Sequence, residues 1–186
     1  NAAFGQGALS TNTTGSTNTA LGDSSLANST TASNNTAVGQ AALAANITGD
    51  RNVAVGALAL DANTTADANT AVGYEALTTN TTAEGNTAVG FGSLRLNTTG
   101  GGNTGIGQNA LYSNTTATGN TAVGKSALTA NTTGTRMTSV GSRSGMQNTT
   151  GNYNAFFGYD AGESNTTAAS NTFIGDSAGR ETTTGP

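Results

Sequence analysis

The sequence predicts an all-β fold, a parallel β-solenoid of eleven 17-residue coils that assembles into a homo-oligomeric fibre. Three observations predict it: a repeat of fixed length, a short β-branched segment in each repeat, and a glycine at one fixed place. The unit N-T-A-V-G-x-x-A-L-x-x-N-T-T-G/A-x-x fills residues 1–186 as a single array, without insertion or deletion. Its copies begin at residues 1, 18, 35, 52, 69, 86, 103, 120, 137, 154 and 171, and the last copy is one residue short.

The period of 17 residues favours a solenoid over helical repeats, which need about 33–47 residues per unit. Each copy also contains Asn, Thr and an internal Gly, which are poor residues for a helix interior. A short T-A-V strand suits one coil of a solenoid, in which identical positions stack about 4.8 Å apart. Eleven such coils make a rod about 50 Å long.

Position 5 of the unit predicts a corner of the coil, where the backbone needs a positive φ or a close approach to its neighbour. It is Gly in every copy: Gly5, Gly22, Gly39, Gly56, Gly73, Gly90, Gly107, Gly124, Gly141, Gly158 and Gly175. Asn at position 1 is predicted to form a ladder, each amide bonding to the next coil.

Large apolar residues at positions 4 and 9, with two late aromatics at position 3, are predicted to form the core. They are Val38, Leu43, Val55, Leu60, Val72, Leu77, Val89, Leu94, Ile106, Leu111, Val123, Leu128, Phe156 and Phe173. In the last two copies Phe appears at position 3 as Gly replaces Leu at position 9, so these positions are expected to share one contact layer. Copy nine has neither Leu nor Phe, and Met146 is predicted to fill its gap. A core this thin favours self-association, as a trimer or a bundle.

The composition excludes several functional classes. Charged residues make up 9% and the net charge is −4, with no Cys and no His. Thiolate and imidazole metal sites are therefore absent, and the commonest general base is missing. The six basic residues are scattered, which gives no footprint for nucleic acid. No apolar run is long enough to span a membrane. With no paired carboxylates and no nucleophile beside a base, we expect neither an enzyme nor a bound metal or cofactor.

The stretch GNTAVGKS, residues 119–126, matches the phosphate-binding pattern G-x-x-x-x-G-K-[ST] through Gly119, Gly124, Lys125 and Ser126. A functional loop of this kind follows a buried strand and opens a helix. Here ordinary repeat sequence lies on both sides, and position 6 otherwise holds Gln, Asp, Ala, Tyr, Phe or Ser. We therefore interpret the match as chance.

The N-x-[ST] sequons form a second candidate site, a row of N-glycans along the rod. They start at Asn12, Asn28, Asn46, Asn63, Asn80, Asn97, Asn114, Asn131, Asn148 and Asn165, with one extra match at Asn34. The alternative is structural, with Asn at a turn and Thr hydroxyls capping backbone groups between coils. Thr at position 14 persists where the Asn is lost, which favours the structural alternative.

Two further columns of side chains are candidate binding surfaces, and the alternative for each is that its side chains are only hydrated. The threonines at positions 13 and 14 cannot form paired columns on a flat strand, because adjacent residues of a strand point opposite ways, so ice binding is a remote alternative. Asp50, Asp67 and Glu84 occupy position 16 of consecutive coils and would hold a cation or splay into solvent, the second being favoured.

The motif NTAVG, as at residues 35–39 and 69–73, resembles the N-S-V-A-I-G element of trimeric autotransporter adhesin heads. The longer unit NTAVGYEALTTNTT resembles repeats of bacterial and phage tail-fibre-like proteins. The resemblance implies a trimeric β-roll and an extracellular, cell-surface or virion-surface location. We expect a structural component of a fibre or filament whose partner is the protein itself. The alternative is an adhesin or tail-fibre module that binds host or surface glycans or a receptor.

Overall fold

The computed structural model describes residues 1–184, and every regular element within that range is a three-residue β-strand. One strand falls in each coil, at positions 2 to 4 of the repeat. The strands are β1 (Ala2–Phe4), β2 (Thr19–Leu21), β3 (Thr36–Val38), β4 (Val53–Val55), β5 (Thr70–Val72), β6 (Thr87–Val89), β7 (Thr104–Ile106), β8 (Thr121–Val123), β9 (Thr138–Val140), β10 (Ala155–Phe157) and β11 (Thr172–Ile174).

The eleven strands form a single parallel sheet whose order is the chain order. The register advances by one repeat at each step, so that Ala71 lies opposite Ala88 and Val72 opposite Val89. Each coil therefore pairs with the coil before it and the coil after it, as a solenoid requires. The predicted parallel β-solenoid with 17-residue coils is confirmed.

The strands show which side chains point inward. Alternate residues of a strand face opposite ways, and here the middle residue, at position 3, is the buried one. Ala37, Ala54 and Ala71 have no exposed surface. The prediction that position 4 belongs to the core is therefore wrong, because that residue points away from the interior. The affected residues are half-buried or exposed: Val38, Val55, Val72, Val89, Ile106 and Val123.

The leucines at position 9 form the core as predicted. Leu43, Leu60, Leu77, Leu94, Leu111 and Leu128 are all fully buried. These residues adopt left-handed backbone conformations, with φ of 52° at Leu43 and 53° at Leu60. That conformation costs about 1–2 kcal/mol per residue. Burial of a leucine side chain contributes about 1.5–3 kcal/mol, which is enough to offset this strain.

Phenylalanine takes the place of leucine in the last coils, and this exchange confirms that positions 3 and 9 share one layer. Phe156 is fully buried, and Phe173 packs partly buried against the same core with its ring 5.7 Å from that of Phe156. A Cβ atom added at Gly162 would lie 2.6 Å from the Phe156 ring. One added at Gly145 of copy nine would lie 2.5 Å from the same ring. Phe156 thus fills the gap that was assigned to Met146, which is half-buried outside the core cluster, so that assignment is wrong.

The glycine corner at position 5 has both properties that the sequence predicted. Gly90 has φ +130°, and a Cβ atom built on it would lie 2.6 Å from the carbonyl oxygen of Gly107 in the next coil. Side chains are strained at such φ values, and here the contact is with backbone that cannot rotate away. The corner therefore keeps neighbouring coils closer than any other residue would allow.

Asparagine at position 1 joins the coils in the manner predicted. The Asn52 backbone N–H donates to Oδ1 of Asn35 at 2.9 Å, and that of Asn69 donates to Oδ1 of Asn52 at 2.9 Å. The side-chain amide of Asn52 meanwhile donates to the Ala66 carbonyl at 2.8 Å, which ties the two ends of its own coil together. Asn52 therefore closes its own coil and connects it to the coil before and the coil after.

Candidate functional site

Charge is confined to part of the solenoid surface. All six basic and ten acidic residues fall at positions 6, 7, 10, 11, 16 and 17 of the repeat. The outward side chains of the sheet, at positions 2 and 4 of β1–β11, include no charged residue in any coil. We call this surface the sheet face.

The sheet face carries two columns of side chains. Position 2 is Thr in eight coils, and position 4 is a large apolar residue in all eleven. Val55 is 36% exposed and Ile106 40% exposed, so the apolar column is open along the rod. The strands therefore do carry an outward threonine column, at position 2 rather than at positions 13 and 14. The prediction had overlooked this column because it considered only adjacent threonines.

Most of the candidate N-glycan sites are inaccessible, and the prediction of a glycan row is wrong. Asn46, Asn63, Asn80, Asn97, Asn114, Asn131, Asn148 and Asn165 have no exposed surface. The Asn63 amide nitrogen donates to Oδ1 of Asn46 at 2.8 Å and to the Ala66 carbonyl at 3.1 Å. An amide nitrogen held in this way inside the coil has no room for a sugar. Position 12 is a second asparagine ladder, a structural role that the alternative of Asn at a turn did not include. Asn12, in the first coil, is half-buried, whereas Asn28 and the extra sequon at Asn34 are exposed.

The two adjacent threonines of each repeat behave differently. At position 13 the hydroxyl caps the next coil in eight coils: Oγ1 of Thr64 donates to the Thr81 carbonyl at 3.2 Å, for example. This confirms the predicted capping role for position 13. At position 14 every threonine is exposed, and none of their hydroxyls forms a hydrogen bond within residues 1–184. The structural role inferred for position 14 from its persistence is not found.

The segment that matches the phosphate-binding pattern does not have the geometry of a phosphate loop. It runs from β8 into a corner of the coil, and no helix follows in the described chain. The Gly124 N–H donates to the Ile106 carbonyl at 2.7 Å, and the Ser126 N–H donates to the Gln108 carbonyl at 2.9 Å. These N–H groups hold the coils together, and they are not free to cradle an anion. Lys125 is exposed.

The acidic column at position 16 has a role that neither predicted alternative included. Oδ1 of Asp50 accepts the Ser33 backbone N–H at 2.7 Å, and Oδ1 of Asp67 accepts that of Asp50 at 2.8 Å. Oδ2 of Asp67 is paired with Arg51 at 2.8 Å. The two aspartates therefore connect coils. Among residues 1–184, no three His, Cys, Asp or Glu side chains cluster as metal ligands.

Two side-chain clusters at positions 6, 7 and 10 interrupt the repeat, and neither was predicted from the sequence. In the first, the exposed rings of Tyr74 and Phe91 stack 5.7 Å apart. Beside them Arg95 pairs with Glu75 at 2.6 Å and lies over the ring of Tyr112. The signal available in the sequence was their spacing, because residues 17 apart stack directly on one another.

The second cluster contains two buried carboxylates in the last coils. Arg143 and Arg180 both pair with Glu163, the Arg180 contact being 2.8 Å, and Arg143 also lies 3.3 Å from Asp160. The hydrogen bond from Arg143, helped by Arg180 and opposed by burial, lowers the pKa of Glu163 below its ordinary value. These contacts connect three successive coils by opposite charges.

No family model, curated protein or solved structure matches this sequence, so its function has to be inferred from the solenoid itself. The part of the chain described by the structure has no helix with the length and apolarity needed to cross a membrane.

Proposed function

We propose that this protein is a structural component of an extracellular or surface fibre, and that it assembles with copies of itself. The solenoid supplies a stiff rod through inter-coil hydrogen bonds, a narrow leucine core and two asparagine ladders. Its role is mechanical, and it comes from length, stiffness and repeated display of one surface. This proposal includes no catalytic step.

The observation that carries the proposal is the sheet face. Charged residues occur at positions 6, 7, 10, 11, 16 and 17 of the repeat, yet positions 2 and 4 have none in eleven coils. Position 4 keeps a large apolar side chain throughout, although the structure places it outside the core. Depletion of charge around exposed apolar residues is typical of the centre of a protein–protein interface. A second copy has the same column at the same spacing, so two sheet faces can pack with their rungs in register.

The size of this face suits an association that depends on length. Eleven rungs about 4.8 Å apart and three residues wide give about 500 Å² per copy, or about 1,000 Å² for a pair. Specific interfaces begin at about that size. Each additional coil or laterally packed copy adds area in proportion, which favours fibres over isolated pairs.

Sedimentation velocity of the purified chain over a range of concentrations tests the role of the sheet face. We expect concentration-dependent oligomers that dissociate in a Val72→Lys/Val89→Lys variant, because two charges would be buried in the interface. Gln108→Lys is the matched control, since position 6 holds Lys125 in the next coil. A wild-type chain that stays monomeric, or a double variant that assembles normally while its circular dichroism is unchanged, would rule out this face.

Ice binding is a second candidate, favoured by the threonine column at position 2 of the sheet face. Its hydroxyls form no hydrogen bond within residues 1–184, and they lie beside the apolar column of position 4 on the same surface. Such an array would order water only if it stays open to solvent. Thermal hysteresis by the monomeric chain would support this candidate, and its absence together with oligomer formation would support the fibre.

A further inference from the structure

We propose that the threonines at position 14 are attachment sites for neutral O-linked sugars, which would form one row along the solenoid. This inference goes beyond the structural role and concerns a different surface from the sheet face. The threonine row consists of Thr14, Thr31, Thr48, Thr65, Thr82, Thr99, Thr116, Thr133, Thr150, Thr167 and Thr184.

The first support is the invariance of an exposed residue. All eleven members of the threonine row are exposed. Other exposed places on the rod vary widely: position 6 takes seven residue types in eleven coils, and position 17, which is exposed throughout, takes seven in the ten coils that contain it. Only the glycine corner is equally constant, and its steric reason is visible in the structure. Something other than solvent contact therefore retains threonine at position 14.

The second support is that the fold does not use the hydroxyl group. Thr98, at position 13, donates its hydroxyl to the Thr115 carbonyl at 3.1 Å. Its neighbour Thr99 contacts the same carbonyl only through its backbone N–H, at 3.3 Å. No hydroxyl of the threonine row has a partner in the part of the chain that the structure describes. In the first ten coils each hydroxyl is a free nucleophile beside a small, buried Gly or Ala at position 15.

The spacing of the row favours a neutral substituent. A phosphate would add a charge of about −1.5 to −2 at each threonine. Neighbouring phosphates about 4.8 Å apart would repel one another along the whole rod. A neutral sugar avoids this repulsion, and its hydroxyl groups hydrate a chain in which only 9% of residues are charged.

The transfer requires an enzyme and a nucleoside-diphosphate sugar, neither of which this chain supplies. The threonine Oγ1 attacks the anomeric carbon of the sugar and forms a glycosidic C–O bond. The bond from that carbon to the phosphate oxygen breaks, and the nucleoside diphosphate leaves with the electron pair. The hydroxyl proton passes to a base of the transferring enzyme.

Site-localising mass spectrometry of the protein from its native source tests the proposal. We expect hexose or N-acetylhexosamine increments on peptides of the threonine row, located on Thr99 and its equivalents and not on Thr98. Alkaline β-elimination should remove them, which distinguishes O-linked sugars from sugars on the exposed sequons. Unmodified position-14 peptides throughout the array would overturn the proposal.

Two variants of the unglycosylated recombinant chain test whether the fold needs the hydroxyl. Thr99→Val and Thr98→Val both keep a β-branched side chain and replace the hydroxyl with a methyl group. We expect the unfolding midpoint to fall for Thr98→Val, which loses a hydrogen bond, and to stay unchanged for Thr99→Val. An equal fall for both would show that position 14 is retained for stability, and would also overturn the proposal.

Discussion

Replacing Gly90 with alanine tests the glycine corner, which sets the distance between coils. The added Cβ would lie 2.6 Å from the Gly107 carbonyl oxygen, at a residue whose φ is +130°. The unfavourable φ costs about 1–3 kcal/mol. Forcing a methyl group against packed backbone costs about 1–3 kcal/mol more. We therefore expect the free energy of unfolding to fall by about 2–6 kcal/mol, a large part of the roughly 5–15 kcal/mol that stabilises a typical domain.

Thermal unfolding followed by circular dichroism measures this loss. At about 2–4 °C per kcal/mol for a chain of this size, the midpoint should fall by about 4–24 °C. Gly175→Ala is the matched control, because φ there is +127° but the nearest described atom to the added Cβ, that of Ala178, is 3.9 Å away. It should lose only the conformational part. Lys125→Ala should change stability by less than about 0.5 kcal/mol. Equal effects of Gly90→Ala and Gly175→Ala would refute the close approach of the coils.

Three further predictions concern other parts of the coil. Ala68 is exposed with φ 57°, so Ala68→Gly should stabilise the fold by about 1 kcal/mol. As the control, Ala130→Gly, at a residue with an ordinary φ, should destabilise the fold by about 0.5–1 kcal/mol. If urea titrations gave the two variants stability changes of the same sign, the left-handed conformation of Ala68 would be contradicted. Asn80→Ala should cost about 1–3 kcal/mol in the same titration, because it removes the hydrogen bonds of Asn80 with Ala83 and Asn97 and leaves the buried Oδ1 of Asn63 without its donor; a neutral result would count against the inner ladder. Glu163 has a lowered pKa in the folded state, so its contribution is present above about pH 4.5 and is lost as pH falls through the folded value. Unfolding midpoints from pH 7 to 3 should therefore fall less steeply for Glu163→Gln, and parallel curves would contradict this ion pair.

The repeat length and its column pattern were enough to predict the solenoid and its corners. A glycine that never changes, in an array where neighbouring positions do, has a steric cause that sequence alone can identify. The exchange of Leu for Gly as Phe156 appears likewise revealed a shared layer. These predictions succeeded because stacking forces each position into one environment in every coil.

The size of the residues does not indicate which side chains of the strand face the interior. Val at position 4 has the size expected of a core residue and Ala at position 3 does not, yet Ala71 is buried and Val72 is half-buried. The left-handed leucine of position 9 occupies the interior opposite the strand, so only a small residue fits at position 3. At Gly105 an added Cβ would lie 3.4 Å from Cγ of Leu94, which is ordinary van der Waals contact, so an alanine at position 3 already reaches the leucine layer.

The candidate sites were harder to predict than the fold. A sequon is expected at the protein surface, but Asn63 and Asn80 use the same amide groups to pair coils inside the rod. Thr98 and Thr99 are identical in sequence terms, and only the structure distinguishes the bonded hydroxyl from the free one. The role of such a polar group depends on the direction in which its side chain points, which composition and spacing do not specify.

Electron cryomicroscopy of the particle from its native source tests the proposed fibre most directly. We predict a continuous fibre with rungs about 4.8 Å apart along its axis and with neighbouring solenoids in contact through their sheet faces. Discrete single rods whose sheet faces are open to solvent would contradict it.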